Sequence, residues 1–137
     1  MVSPGHVPES QGARSRDKES LERAREMVAR GKGDEKALFA DSEQGSVFQS
    51  RMSARVYLDF FDPNGKAAMS KAAAKLDRNI SVLYIVGTAD GMYQRGKGFI
   101  YGKFQENPRN RYVVVNAGHI GAAAAADHDI VDWLNCL

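Results

Sequence analysis

The sequence is poor in cysteine and proline and has no long apolar run. Cys136 is the single cysteine in 137 residues, which excludes an internal disulfide and a cysteine-based metal cluster. No window reaches the roughly 18 consecutive apolar residues that a membrane-spanning helix needs. The formal charge is only +2, with 19 basic and 17 acidic residues interspersed, so the basic patch typical of nucleic-acid-binding proteins is missing.

The first residues also lack the features of an export signal. Residues 1–11 contain neither a basic start nor an apolar stretch, both of which a secretory signal peptide requires. We therefore expect a soluble, cytoplasmic protein that binds neither membrane nor nucleic acid. No candidate cluster contains more than one histidine, so the sequence predicts no metal site and indicates no cofactor.

The chain length favours one domain, and its composition changes near residue 79. Residues 1–14 are predicted to be an irregular N-terminal segment, in which Met1 to His6 could be the stub of a cut strand. Residues 15–78 are predicted to be entirely helical, although residues 36–50 are less regular. The apolar spacing and the Asp-Pro-Asn-Gly turn at 62–65 predict three helices in this region, at 17–30, 52–61 and 66–76.

Residues 79–137 show a different pattern, a strand-helix-strand-helix order. Short β-branched runs predict strands at 80–86 and 111–116, and longer patterns predict helices at 94–105 and 120–137. Such a unit forms a right-handed crossover between parallel strands. Both strands are almost wholly apolar, and two strands are not a stable sheet alone. We therefore expect further strands beside them, which these 137 residues do not obviously provide.

Each predicted strand is followed by glycine and then by one ionisable side chain. The first run leads to Asp90 and the second to His119. Because the carboxyl ends of parallel strands gather at one edge of a sheet, Asp90 and His119 are predicted to be neighbours that act as an acid and a base. The alternatives are a simple turn at Asp90-Gly91 and a loop histidine that caps the last helix.

This arrangement resembles the C-terminal part of the α/β-hydrolase family. The resemblance implies an α/β fold in which residues 15–78 are a helical cap and residues 79–137 are the last part of a parallel sheet. It also implies that His119 is the general base, that Asp90 orients it, and that the substrate is a small ester or related acyl compound. The matching segments are Val82 to Asp90, Val113 to His119 and Ile130 to Leu134.

The departure from that family concerns the nucleophile. No Gly-x-Ser-x-Gly sequence occurs in these residues, and neither Ser46 nor Ser70 lies in a suitable strand-turn-helix context. The oxyanion-hole donors would also come from the missing half. We therefore interpret the chain as a truncated hydrolase that is inactive alone. The competing interpretation is a non-catalytic protein that pairs with itself or with a complementing chain through exposed strand edges.

A minor alternative concerns phosphate binding. Gly91 to Lys97 matches the first seven positions of a P-loop. The next residue is Gly98, where a P-loop has the serine or threonine that binds Mg²⁺. The pattern therefore indicates at most a degenerate P-loop phosphate binder.

Overall fold

A computed structural model of the chain describes residues 7–11, 15–43 and 46–137. Met1 to His6, the predicted strand stub, lies outside these residues. Within the described residues the chain divides into two compact units, 7–69 and 70–137, and no helix there is long and apolar enough to span a membrane. The elements of the first unit are α1 (Pro8–Gln11), α2 (Ser15–Ala29), β1 (Lys36–Glu43), β2 (Ser46–Ser53) and α3 (Ala54–Phe61).

The second unit begins within α4 (Met69–Lys75) and holds the predicted site. Its remaining elements are β3 (Leu83–Gly87), α5 (Gly91–Gln94), a 3₁₀ turn (Tyr101–Lys103), β4 (Arg111–Val115), α6 (Ala122–Ala125) and α7 (Asp127–Leu134). The mixture of helices with a parallel strand pair makes the fold broadly α/β, as predicted.

The first unit has a core of aromatic rings between α2, α3 and the hairpin of β1 and β2. Phe39 stacks on Tyr57 with ring centroids 4.5 Å apart, and Tyr57 stacks on Phe61 at 4.6 Å. Leu21 and Ala24 of α2 complete this core. Such pairs of aromatic rings add stabilisation beyond the area that they bury.

The hairpin corrects the prediction that residues 15–78 are entirely helical. β1 and β2 pair antiparallel over their whole length, from Lys36 opposite Ser53 to Glu43 opposite Ser46. The other edge of β1 is held by side chains, because the Ser20 hydroxyl accepts a hydrogen bond from the Ala40 N–H and the Tyr57 hydroxyl donates one to the Ala40 carbonyl. These tertiary contacts outweigh the weak strand propensity of the segment.

The second unit contains the predicted parallel pair of strands. β3 and β4 are paired from Leu83 opposite Arg111 to Gly87 opposite Val115, and within the described residues their sheet has these two strands alone. One face of the sheet packs against Ala122 of α6 and its neighbour Ala126. The sheet is thus smaller than the hydrolase resemblance implies, and it is covered on this face by the C-terminal helices.

Two predicted helices of the second unit are wrong in extent. The helix expected at 94–105 is replaced by α5, an irregular stretch and the 3₁₀ turn, because Gly96 takes a φ of 80° and ends the helical path. The helix expected at 120–137 is divided into α6 and α7, and the division lies at Ala126, which is buried against the sheet. α7 therefore carries only the last apolar positions of the expected helix.

Candidate active site

The loops that follow the two strands of the second unit lie side by side. Beyond the end of β3, the Thr88 N–H donates to the Val115 carbonyl at 2.9 Å and the Ala89 N–H donates to the Ala117 carbonyl at 3.0 Å. The parallel pairing thus continues into the loops that follow the strands. Since the two loops run side by side, residues that follow them at similar distances are brought together.

Gly87 allows this close approach. A Cβ atom built on Gly87 would lie 2.2 Å from the carbonyl oxygen of Ala117 and 2.8 Å from its carbonyl carbon. Both distances are far below van der Waals contact, and the obstructing atoms belong to the backbone. Any side chain at position 87 would therefore displace the loop that carries His119.

Asp90 and His119 are in direct contact, as the strand pattern predicts. The Nδ1 atom of His119 lies 2.7 Å from Oδ2 of Asp90, a short distance typical of a charge-assisted hydrogen bond. The Asp90 side chain is only 5% exposed. Its other oxygen, Oδ1, accepts a hydrogen bond from the Met92 N–H at 2.8 Å and so caps α5. The carboxylate therefore forms the expected turn and also holds the histidine ring.

The contact determines the chemistry of the His119 ring. An ionised carboxylate can only accept hydrogen bonds, so Nδ1 carries the proton and Nε2 of the neutral ring is an acceptor. The His119 side chain is 43% exposed. Within the part of the chain that the structure describes, Nε2 makes no hydrogen bond. The ring thus presents a basic nitrogen that is held in orientation by a buried acid.

A group of tyrosines covers the sheet face opposite α6 and α7. Tyr84 and Tyr112 stack across the strands with centroids 5.6 Å apart, and Tyr101 packs against both. Burial raises the pKa of Tyr84 to about 12, with smaller contributions from Tyr112 and Asp90. Lys97 places its ammonium 5.1 Å and 5.5 Å from the ring centroids of Tyr101 and Tyr112. This group was not predicted from the sequence, although one tyrosine in each of the two predicted strands was a usable signal.

The remaining candidates of the sequence analysis lie elsewhere or lack the required geometry. Ser46 stands at the start of β2 and Ser70 within α4, and neither follows a strand-turn-helix path. The imidazole of His128 is 96% exposed on α7, and Cys136 is an exposed free thiol. Over residues 7–11, 15–43 and 46–137, no cluster of three or more side chains suited to a metal ion is present.

The P-loop alternative gains no support from the loop geometry. Gly91 to Gln94 is a helical turn rather than an open cradle. The amides of Met92 and Tyr93 donate to the side chain and to the carbonyl of Asp90, and the Gly96 amide donates to Tyr93. A P-loop instead directs its amides at a phosphate, so the seven matching positions do not form that site.

Comparison of the chain with protein-family models gave no match, and comparisons with curated proteins and with solved structures gave none either.

Proposed function

We propose that the chain is part of a serine-type hydrolase of the α/β-hydrolase kind, to which it contributes the acid Asp90 and the base His119. The observation that carries the proposal is the 2.7 Å contact between His119 Nδ1 and the buried carboxylate of Asp90. The proposal is supported by the positions of both groups, which lie in the loops that follow two adjacent parallel strands. The substrate would be an ester or a related acyl compound.

In this mechanism His119 acts through its free nitrogen. Nε2 would take the proton of a hydroxyl nucleophile, and Asp90 would stabilise the imidazolium that forms. The sequence offers no nucleophile of the Gly-x-Ser-x-Gly type. The nucleophile and the oxyanion donors would therefore come from a polypeptide segment outside these 137 residues, such as a complementing chain.

The orientation of the histidine ring can be tested by NMR on the full chain. Long-range proton–nitrogen spectra, recorded where the ring is neutral, should show His119 almost wholly protonated at Nδ1. In Asp90→Asn, the amide oxygen can still cap α5 while its NH₂ group faces Nδ1. That donor should switch the ring to the Nε2-protonated tautomer.

His128 in the same spectra is the internal control, because it is exposed on α7 and distant in sequence from the substitution. Its tautomer ratio should be unchanged in Asp90→Asn. If His119 showed the same tautomer ratio with and without the Asp90 carboxylate, the two side chains would not be paired in solution, and the proposed acid–base role would be wrong.

A second candidate function is a non-catalytic interaction protein. It is favoured by a different observation, the outer edge of β4, where some peptide groups make no hydrogen bond within the described residues. This candidate does not require the Asp90–His119 pair to act chemically.

A further inference from the structure

Within the described residues, the outer edge of β4 presents backbone groups without a hydrogen-bond partner. The Arg111 N–H donates to the Val82 carbonyl and the Val115 carbonyl accepts from the Thr88 N–H, so these odd-numbered residues direct their peptide groups toward β3. In a parallel ladder the alternate residues face the other way, which places the peptide groups of Tyr112 and Val114 on the outer edge. Among the described residues β4 pairs with β3 alone, and the Val114 side chain is 42% exposed.

The charges near this edge are separated along its length. Trp133 donates from its indole nitrogen to the Arg109 carbonyl, and the Arg111 guanidinium lies 3.8 Å from the Cys136 sulfur. The C-terminal end of α7 therefore lies beside the start of β4, where Arg109 and Arg111 are found. The acids in the first turn of α7, Asp127 and Asp129, lie toward the opposite end.

Three of these charged residues, Arg109, Arg111 and Asp129, have no oppositely charged partner within the described residues. Within the described residues, neither arginine makes an ion pair with a carboxylate, and neither does Asp129 with a basic group. Apolar side chains on the outside of α7 are also exposed, with Val131 at 54% and Leu134 at 55%. One edge thus combines open peptide groups, a basic end, an acidic end and apolar surface.

We propose that this edge pairs with the same edge of a second copy of the chain, antiparallel and about a two-fold axis through Val113. In this register Tyr112 of one copy and Val114 of the other exchange two backbone hydrogen bonds. The two-stranded sheets then join into one sheet of four strands, which is more stable than a sheet of two. The inference is independent of the hydrolase proposal, because it uses neither Asp90 nor His119.

The charges complement each other in this arrangement. The Arg111 guanidinium lies beside the Cys136 sulfur, whereas Ala126, at the start of α7, packs in one cluster with Val115 at the end of β4, so α7 runs antiparallel to β4. At a rise of about 1.5 Å per residue, Asp129 lies roughly 10 Å from Cys136 toward the Val115 end. β4 advances about 3.3 Å per residue, which places Val113 some 7 Å from Arg111. A two-fold axis at Val113 therefore brings Asp129 of the second copy close to the level of Arg111. The axis is perpendicular to the sheet, so both copies of α7 lie on the same face.

The test is a charge-exchange series in sedimentation velocity, with the full chain over a range of concentrations. The wild-type chain should form dimers. Arg111→Asp and Asp129→Arg should each weaken the dimer about tenfold, because each change places like charges opposite each other twice per dimer. The double variant should regain most of the affinity. Arg51→Asp, the same change of charge on an exposed arginine of β2, is the matched control and should have no effect.

Val114→Pro provides a second test. It removes an N–H that points away from β3, so it should abolish dimerisation while the circular dichroism spectrum is retained. A chain that is monomeric at every concentration would overturn the proposal. The proposal would also be overturned if the double charge variant dimerised more weakly than either single variant. The charge series gives this answer even if Val114→Pro does not fold.

Discussion

At the scale of single residues, the candidate site depends on Gly87, a residue without a side chain. Gly87 ends β3, and the carbonyl of Ala117 occupies the position that a Cβ atom would need. The same loop continues to His119 and accepts the hydrogen bond of the Ala89 amide. The contact between His119 and Asp90 is therefore a consequence of how closely two backbones approach at Gly87.

Gly87→Ala should break this approach. The added methyl group cannot be accommodated by rotation of a side chain, because its neighbours at 2.2 Å and 2.8 Å are backbone atoms. We expect the chain to lose about 1–3 kcal/mol of unfolding free energy, as for other overpacked positions. The Nδ1-protonated signal of His119 should be lost with it. Urea denaturation and the NMR experiment described above measure the two effects.

Gly91→Ala is the matched control, because a Cβ at position 91 meets nothing within 4 Å. It starts α5, where alanine is favoured over glycine, so stability should be unchanged or slightly increased. A Gly87→Ala protein with wild-type stability and an intact His119 signal would show that the two loops do not approach as closely as described.

At the scale of the elements, the tyrosine face of the β3–β4 sheet couples stability to pH. Burial raises the pKa of Tyr84 from 10.0 to about 12, and burial also raises the pKa of Tyr101 and Tyr112. As the pH rises above 10, the unfolded chain loses these protons before the folded chain does. The stabilisation from the neutral Tyr84 hydroxyl is complete below pH 10 and is lost as the pH rises toward 12.

For Tyr84 alone we expect a loss of about 1–2 kcal/mol over this interval. The measurement is the unfolding free energy from urea denaturation at several pH values. Tyr84→Phe should show a shallower decline, and Tyr93→Phe, which removes an exposed tyrosine of α5, should decline like the wild-type chain. Identical slopes for wild type and Tyr84→Phe would contradict the burial of that hydroxyl.

The elements also show which features the sequence could predict. The strands at β3 and β4 were identifiable because both are β-branched, apolar and bounded by turn residues. Their parallel pairing then placed Asp90 and His119 side by side. The hairpin was not identifiable in this way, since β1 contains alanine, aspartate and glutamate. Its edge is fixed by Ser20 and Tyr57, which are distant in sequence.

The prediction of a helix at 94–105 was wrong for a local reason. Apolar and aromatic residues recur there at helical spacing, but Gly96, Gly98 and Gly102 interrupt them. Each glycine costs about 1 kcal/mol in a helix interior, and Gly96 adopts a positive φ. The glycines were the stronger signal, and the periodicity instead reflects packing of Tyr101 and Phe104 against each other.

At the scale of the whole molecule, the described residues contain a carboxylate–imidazole pair with no nucleophile beside it. The basic nitrogen of His119 has no hydroxyl within hydrogen-bonding distance in the described part of the chain. Without a nucleophile and oxyanion donors, general-base catalysis lacks both the group that it activates and the charge stabilisation that contributes most to acyl transfer.

We therefore expect the purified chain to hydrolyse a panel of fluorogenic esters no faster than buffer. His119→Ala is the decisive variant, and His128→Ala, which removes the exposed histidine of α7, is its matched control. Turnover by the wild-type chain that His119→Ala abolishes and His128→Ala preserves would show that a nucleophile is present among these 137 residues. Turnover that neither variant changes would come from a different site, and His119 would then have no part in it.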